Sequence, residues 1–254
     1  MKKEDSDQVL EVLDFGKKYG EFVAVDGLNF DVCAGEIVGM VGANGAGKTT
    51  TLQALAGLSI PTSGTLNVCS RSVSSDPLAA KKRLAYIPDS NHPYDLLTVR
   101  EHLKFVCLAY GVSSIDEKTS TILEEVNLAD KADVLASALS RGMVQKLSLA
   151  SALIWNPAVI VLDEPLTGLD PRGIRSMKEL IRARAESGTA FLLSSHLLEL
   201  VESICHRVLI LDQGKRIAFG PLESIRESAA LGASATMEEV YMAMTMPERN
   251  TEEA

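Results

Sequence analysis

A short glycine-rich segment carries residue types that can hold phosphate, Gly42-Ala-Asn-Gly45-Ala-Gly47-Lys48-Thr49. The strand-like run Ile37 to Val41 precedes it, and the helix-compatible run Thr50 to Leu58 follows it. Glycines let backbone N–H groups turn toward one point, and the N-terminus of a following helix adds partial positive charge there. A strand, this loop and a helix in this order predict a site for the phosphates of a nucleoside triphosphate, which we expect to be ATP. The agreement of all three elements disfavours a glycine-rich turn that matches by chance.

The residues of this loop have separate expected roles. Lys48 is expected to reach the β and γ phosphates and to act in catalysis, and the Thr49 hydroxyl is expected to ligate Mg²⁺. The positions expected to contact the nucleotide are Gly42, Asn44, Gly45, Ala46, Gly47, Lys48, Thr49 and Thr50.

Two adjacent carboxylates end another apolar run, Val159-Ile-Val-Leu162-Asp163-Glu164. Ligands of open α/β sheets bind at the carboxyl ends of the parallel strands, so acids at this point would face the predicted nucleotide. We expect Asp163 to hold Mg²⁺, directly or through water, and Glu164 to orient or deprotonate the attacking water. An isolated Asp-Glu pair is commonly a surface feature, but a phosphate-binding loop upstream favours the catalytic interpretation.

Apolar runs alternate with helix-compatible runs along the chain, which is typical of an α/β domain. Short apolar strands separated by helices predict a mostly parallel sheet covered on both faces. The strands expected in it are Ile37–Val41, Leu84–Ile87, Val159–Leu162, Ala190–Leu193 and Val208–Leu211. A smaller antiparallel sheet is expected from Leu10–Phe15, Phe30–Cys33 and Thr65–Val68.

The pattern becomes helical between Pro88 and Pro157. Thr98 and Glu101 form a T-x-x-E capping box, and a second helix fits about Asp116 to Val126. A third helix begins at Ser140, with a stripe formed by Met143, Leu147, Ala150 and Ile154. We therefore predict a P-loop NTPase (RecA-like) core with an antiparallel β subdomain and an inserted α-helical subdomain at about residues 88–156.

The C-terminal segment predicts one more helix. Thr236 and Glu239 form a second capping box. One helical face is formed by Met237, Val240, Tyr241 and Met244. A methionine-rich stripe usually packs on the chain's own domain and less often binds a partner. We expect one domain over residues 1–225 and a C-terminal helix and tail over 226–254, with residues 247–254 disordered.

Composition excludes several function classes. A net charge of −9 and a pI near 5.0 argue against a protein that coats nucleic acid, which needs a basic face. No C-x-x-C pair occurs, so a zinc site is not expected. The cysteines are expected to be reduced thiols in the cytosol. The N-terminal residues lack the apolar stretch of a secretion signal, and no run approaches the ~18 apolar residues of a membrane span.

The segment Leu139-Ser140-Arg141-Gly142-Met143-Val144-Gln145 narrows the interpretation. With it the sequence resembles the ATP-binding cassette (ABC) family, whose signature is LSGGQ or a close variant. The resemblance covers roughly residues 9–225. It implies that Ser140 and Gly142 contact the nucleotide bound to a second cassette, in a head-to-tail dimer around ATP. A plain helix cap is the alternative role of Ser140.

The resemblance assigns three further positions. Thr167-Gly-Leu-Asp170 is similar to the D-loop, which implies that Asp170 lies near the nucleotide of the dimer. His196 is similar to the switch histidine that senses the γ-phosphate and takes part in catalysis. Tyr19 is similar to the aromatic residue that stacks on adenine, with Phe22 as the alternative if Tyr19 only packs.

Two positions depart from the family pattern. Asp89 stands where the family usually has the Q-loop Gln. Its oxygens suit Mg²⁺ or a water on Mg²⁺, although its side chain is one methylene shorter. Arg141 stands at the third position of the signature in place of Gly, and adds a charge near the seam between cassettes. Neither change removes the catalytic residues, so an active ATPase is expected.

The resemblance implies the ATPase subunit of an ABC transporter. Its expected partners are a second cassette, identical or different, and a separate integral membrane permease. It is expected at the cytoplasmic face of the inner (plasma) membrane, as a peripheral protein. The loop, the signature and the tail look like the exporter-type branch that works with ABC-2-like permeases. The alternative is a soluble ABC ATPase that acts on the ribosome or on nucleic acid, although no nucleic-acid partner is expected.

The segment His92 to Thr98 lies where family members dock the permease. Tyr94, Leu96 and Leu97 would there form part of an apolar docking surface. The alternative, which is favoured for each of them taken alone, is packing inside the helical subdomain.

Overall fold

Two β-sheets with helices around them form the fold. The structure, a computed structural model, describes residues 8–90, 92–232 and 234–245. In chain order the strands are β1 (Gln8–Tyr19), β2 (Phe22–Cys33), β3 (Ile37–Val41), β4 (Ser63–Val68), β5 (Arg71–Ser72), β6 (Leu84–Ile87), β7 (Val159–Asp163), β8 (Ala190–Ser194), β9 (Arg207–Asp212) and β10 (Lys215–Gly220). The helices are α1 (Lys48–Leu55), α2 (Pro77–Lys81), α3 (Val99–Tyr110), α4 (Ile115–Glu125), α5 (Arg141–Leu153), α6 (Pro171–Glu186), α7 (Leu198–Ile204), α8 (Leu222–Ser228) and α9 (Met237–Thr245).

The larger sheet has the strand order β10-β9-β3-β8-β7-β6. Its neighbouring strands are parallel from β9 to β6, and β10 pairs antiparallel with β9 at one edge. All residues of β3, β7 and β8 are buried, since apolar clusters cover both faces. Continuous apolar runs are what such doubly covered strands require. The predicted mostly parallel sheet is confirmed.

The smaller sheet is antiparallel, with the order β2-β1-β4-β5. It contains the three strand-like runs of the N-terminal part, but β1 and β2 extend beyond them into a long hairpin. Leu10, Val12 and Phe15 of β1 are fully buried, in the same cluster as one face of the larger sheet. The predicted antiparallel β subdomain is therefore present, and it packs on the central sheet.

The helix after the glycine-rich segment starts and ends earlier than the run Thr50 to Leu58. It begins at Lys48 and ends at Leu55, and Ala56 closes it. Gly57 follows with φ 66°, a left-handed conformation that ends helices. The apolar Leu58 is exposed rather than helical, so its apolar character alone was a misleading signal.

Three helices, α3 to α5, lie between β6 and β7 as an inserted α-helical subdomain. The capping box of α3 is confirmed, because Thr98 N–H donates to Glu101 Oε2 at 2.8 Å and Glu101 N–H donates to Thr98 Oγ at 3.2 Å. Ser140 is the N-cap of α5, and Leu147 of that helix is fully buried. No helix in the described ranges is long and apolar enough to cross a bilayer.

An ion-pair network joins the two sheets. Arg207 of β9 contacts Asp31 of β2 at 2.9 Å and Glu36, just before β3, at 2.6 Å. Glu36 also accepts the N–H of Cys33 at 2.9 Å. Because the buried Glu36 carboxylate is both paired and hydrogen-bonded, its desolvation is offset. This network fixes the antiparallel sheet next to β3 and the loop that β3 carries.

The C-terminal helix belongs to the main core. Met237 and Val240 of α9 are fully buried, and the rest of the predicted stripe, Tyr241 and Met244, packs against the same cluster. The stripe therefore faces the chain's own domain. The boundary expected after residue 225 falls inside α8, so it does not coincide with a break between elements. The tail at 247–254 lies outside the described residues.

Truncating α9 at its buried face should destabilise the whole domain. Met237→Ala is expected to lower the free energy of unfolding by about 2–5 kcal/mol, because it leaves a cavity in the core. Met242→Ala is the matched control, since Met242 is on the same helix but 46% exposed, and it should change stability by less than about 0.5 kcal/mol. Urea denaturation of both variants measures the difference. Equal effects would show that α9 does not pack as described.

Candidate active site

The glycines of the loop after β3 are required by its local geometry. A Cβ on Gly42 would lie 2.5 Å from the carbonyl oxygen of Leu211, so a larger residue does not fit. Gly45 and Gly47 have φ angles of 83° and 101°, which side chains disfavour. Gly47 is also the N-cap of α1. The loop therefore requires glycine at these three positions.

Lys48 is held in this loop with little exposure to solvent. Its ammonium group donates hydrogen bonds to the carbonyl oxygens of Gly42 at 2.6 Å and Ala43 at 3.1 Å. Burial lowers the pKa of Lys48, while the charges of Glu164 and Asp163 oppose that shift. The two carboxylates at the end of β7 thus act electrostatically on the lysine of the loop.

Ser194 fixes both carboxylate residues at the end of β7. Its hydroxyl donates to Asp163 Oδ1 at 2.6 Å and accepts the Glu164 backbone N–H at 3.0 Å. Asp163 is 4% exposed, so this contact is shielded from water. Glu164 adopts a left-handed backbone with φ 49°, a conformation that is strained for a non-glycine residue and is often found at functional sites.

His196 contacts the second carboxylate. Its Nδ1 lies 2.7 Å from Glu164 Oε2. An ionised carboxylate only accepts hydrogen bonds, so Nδ1 carries the proton in this arrangement. The Glu164 side chain is 18% exposed and that of His196 is 56% exposed. The pair therefore lies at the boundary between the site and solvent.

Tyr86, at the end of β6, is a further partner of Asp163. Burial raises the pKa of Tyr86 to about 12, with further contributions from the charge of Asp163, a hydrogen bond to it and the charge of Asp89. The phenol therefore stays neutral and donates to the carboxylate. Neither Tyr86 nor Ser194 was predicted from the sequence to belong to the site. Both are polar residues near the ends of apolar strands, and that position was the available signal.

One cavity of 340 Å³ collects most of the predicted site. Tyr19 and Phe22 both line it and are 50% and 63% exposed, so neither is buried in the core and both positions considered for adenine are present. The other predicted residues that line it are Asn44, Gly45, Gly47, Lys48, Thr49, Thr50, Asp89, Asp163 and Glu164. Gly42 and Ala46 belong to the same loop, while His196 reaches the site through Glu164.

Three predicted residues lie in a different cavity. Ser140, Gly142 and Asp170 line a cavity of 560 Å³ that shares no lining residue with the first. Ser140 and Asp170 are the N-caps of α5 and α6, and accept the N–H groups of Met143 at 3.4 Å and Gly173 at 2.7 Å. Ser140 therefore does cap a helix. The signature segment lines a different cavity from the chain's own Lys48.

The site fits a nucleoside triphosphate. Its loop offers backbone N–H groups and an ammonium, and its acids offer the oxygen ligands that Mg²⁺ prefers. A glycine-rich loop between a parallel strand and a helix, with an acid at the end of a second parallel strand, defines the class of P-loop nucleoside triphosphatases.

Comparisons with known proteins identify the family. The ABC transporter family model matches residues 25–167, more than half of the 254 residues. The chain is 38% identical over 214 residues to the Nod factor export ATP-binding protein I of Burkholderia thailandensis. The aligned region covers 84% of this chain and 70% of that protein. A solved ATP-binding subunit of an ABC transporter superposes with a TM-score of 0.88 at 32% identity, over 93% of this chain and 99% of that one.

The chain belongs to the ABC transporter family, as the signature segment predicted. It is an ATP-binding subunit with ATPase activity.

Removing the Ser194 hydroxyl should weaken catalysis without unfolding the chain. Ser194→Ala leaves Asp163 and the Glu164 N–H without their shared partner, and we expect a loss of about 10–100-fold in ATP turnover, as for other residues that orient ligands. Ser195→Ala is the matched control, because Ser195 is also buried, and among the described residues its hydroxyl accepts the N–H of Leu197 and contacts neither carboxylate. Steady-state ATPase rates measure both. Equal rates for the two variants would contradict this role of Ser194.

Proposed function

We propose that two cassettes of this kind pair head to tail around ATP and drive a separate membrane permease for export. The separation of the predicted site into two cavities carries this proposal. Lys48, Asp163 and Glu164 line one, while Ser140 and Asp170 line the other. A second copy supplies the missing side of each site in such a pair.

Residues of the chain itself supply the groups that bind ATP and activate the attacking water. The loop backbone and Lys48 bind and orient the phosphates of ATP. Glu164 accepts a proton from the attacking water, and His196 holds the Glu164 carboxylate through the 2.7 Å contact. Ser194 and Tyr86 hold Asp163. The second cassette excludes water from the far side of the phosphates, so hydrolysis requires the pair.

Thr49, Asp163 and Asp89 would hold Mg²⁺. All three line the same cavity and present oxygen atoms, which this hard cation prefers. The bound ion would neutralise phosphate charge during transfer. Asp163 is preorganised for this task because Ser194 fixes one of its oxygens. Asp89 would serve as an oxygen ligand in place of the amide that the family usually has at this position.

An exposed apolar surface supports the permease partner. Leu96 is 88% exposed and Tyr94 is 56% exposed. The alternative that each residue packs inside the helical subdomain is therefore wrong for these two. Leu97 is half-buried. Tyr94 lies 5.1 Å from Phe105 of α3, which is itself 46% exposed. Exposed apolar clusters of this kind mark protein contacts. This surface would dock the permease and would place the cassette at the cytoplasmic side of the membrane.

The direction of transport is inferred from relatives. The Nod factor proteins of Burkholderia thailandensis and Ralstonia nicotianae are both named for export, and each is 38% identical to this chain. We propose export for this chain on that basis.

Glu164→Gln should separate binding from hydrolysis. The amide keeps the size of the side chain but does not accept the proton, so we expect turnover to fall by about 10²–10⁴-fold, while ATP binding persists and the ATP-bound dimer accumulates. Radiolabelled ATP turnover and size-exclusion chromatography with ATP measure the two properties. Glu179→Gln, in an exposed ion pair on α6, is the control. Normal hydrolysis by Glu164→Gln would remove Glu164 from the role of base.

Leu96→Glu should weaken the complex with the membrane subunit. A charge at the most exposed apolar position of the segment disrupts apolar docking, so we expect at least ~10-fold less membrane protein to co-purify in detergent. Leu78→Glu is the control, because Leu78 is 74% exposed on α2, outside this surface. Equal recovery with both variants would exclude this surface. Recovery of rRNA or DNA by the wild-type chain, with no membrane protein, would favour the soluble alternative.

A further inference from the structure

Arg141 lies against the D-loop segment of its own chain. The Cβ of a residue built at Gly168 would be 2.8 Å from Cζ, Nε and Nη1 of Arg141, so the guanidinium covers this glycine face-on. Gly168 has a φ of 80° and needs to be glycine for that reason as well. The neighbouring Gly142 faces the side chain of Leu169, where a Cβ would lie 3.2 Å from Cδ2. The signature segment and the D-loop segment are therefore packed together within one chain.

Positive charge accumulates around this contact. Arg141, Lys146 and Arg172 all line the 560 Å³ cavity, and none of them takes part in an ion pair with another residue in the described part of the chain. Asp170 is the one carboxylate on the cavity wall, and its Oδ1 is already used by the N–H of Gly173. A cavity with three unpaired cations is suited to a multiply charged anion.

The anion that fits is not the nucleotide of the same chain. Lys48 and the loop from Gly42 to Thr49 line a separate cavity, and the predicted head-to-tail dimer brings the signature segment of one cassette to the loop of the other. Arg141 is exposed, so its long side chain is free to turn from Gly168 toward a partner. An arginine presents several N–H donors at once, which suits a terminal phosphate.

We propose that Arg141 acts in trans: in the ATP-bound dimer its guanidinium contacts the terminal phosphate of the nucleotide held by the Gly42–Thr49 loop of the second copy. This inference rests on the proposed head-to-tail dimer. It turns the departure from the family signature into a function, because the glycine that usually occupies this position has no charge to offer. It also couples the nucleotide to the D-loop, since Arg141 leaves Gly168 when it engages the phosphate.

Substitution of Arg141 tests the charge. Arg141→Ala is expected to lower turnover by about 10–100-fold, the range for one lost charge-assisted hydrogen bond. In a Glu164→Gln background it should raise, by a similar factor, the ATP concentration needed for half-maximal dimer formation. Arg141→Lys should recover part of both losses. Arg175→Ala, which removes an exposed arginine of α6 that pairs with Glu179, should match the parent chain.

A mixing experiment tests whether the contact is made in trans. An Arg141→Ala chain and a Lys48→Ala chain, each weak alone, form a mixed dimer in which one site has an intact loop and an intact partner arginine. We expect ATP turnover to rise well above the sum of the two separate samples. If Arg141 served the nucleotide of its own chain, the mixed dimer would have no intact site, and absence of a rise would overturn the proposal.

The wild-type chain separates the two levels of inference. If it forms no dimer with ATP, the proposed head-to-tail function fails. If it dimerises and hydrolyses ATP, but Arg141→Ala does the same at equal ATP concentrations, only the role of Arg141 fails.

Discussion

The candidate active site depends on three neighbouring parallel strands that end in register. Met40 of β3 and Asp163 of β7 both pair with Ser194 of β8, which lies between them. The phosphate-binding loop, Glu164 and His196 all follow within two residues of those positions. Backbone hydrogen bonds of the sheet therefore set the distances between groups from three distant parts of the chain. A site on strand ends is more precisely positioned than one built on loops alone.

This alignment allows the site to tolerate local strain and unfavourable charge. Glu164 keeps a left-handed backbone because Ser194 accepts a hydrogen bond from its N–H at 3.0 Å. Lys48 keeps a buried ammonium because two loop carbonyls accept hydrogen bonds from it. Each of these features would be unfavourable in isolation. A packed sheet with apolar clusters on both faces supplies the rigidity that holds them. Stability in the core is thus connected directly to reactivity at its edge.

The sequence was sufficient for those features whose signal is local. Three kinds of feature depend on neighbouring residues and were each located from the sequence. They are the buried strands β3, β7 and β8, the capping boxes at Thr98 and Thr236, and the loop at Gly42–Thr49. Contacts that depend on strand order were not predictable in the same way. Ser194 reaches Asp163 because β8 lies next to β7, and no short-range pattern encodes that order. The packing of the Arg141 guanidinium on Gly168 likewise depends on how α5 lies beside the segment after β7.

Charge balance gives a physical reason for the proposed pairing of two chains. The cavity around the loop is lined by the carboxylates of Asp89, Asp163 and Glu164 and by a single cation, Lys48. The cavity at the signature segment has the opposite excess, with three cations and one carboxylate. In the proposed head-to-tail pair these unlike charges would face each other, which would favour this orientation over one that places two like cavities together. In the proposed pair the phosphates of ATP would face the signature cations of the second copy, which neither copy provides beside its own loop.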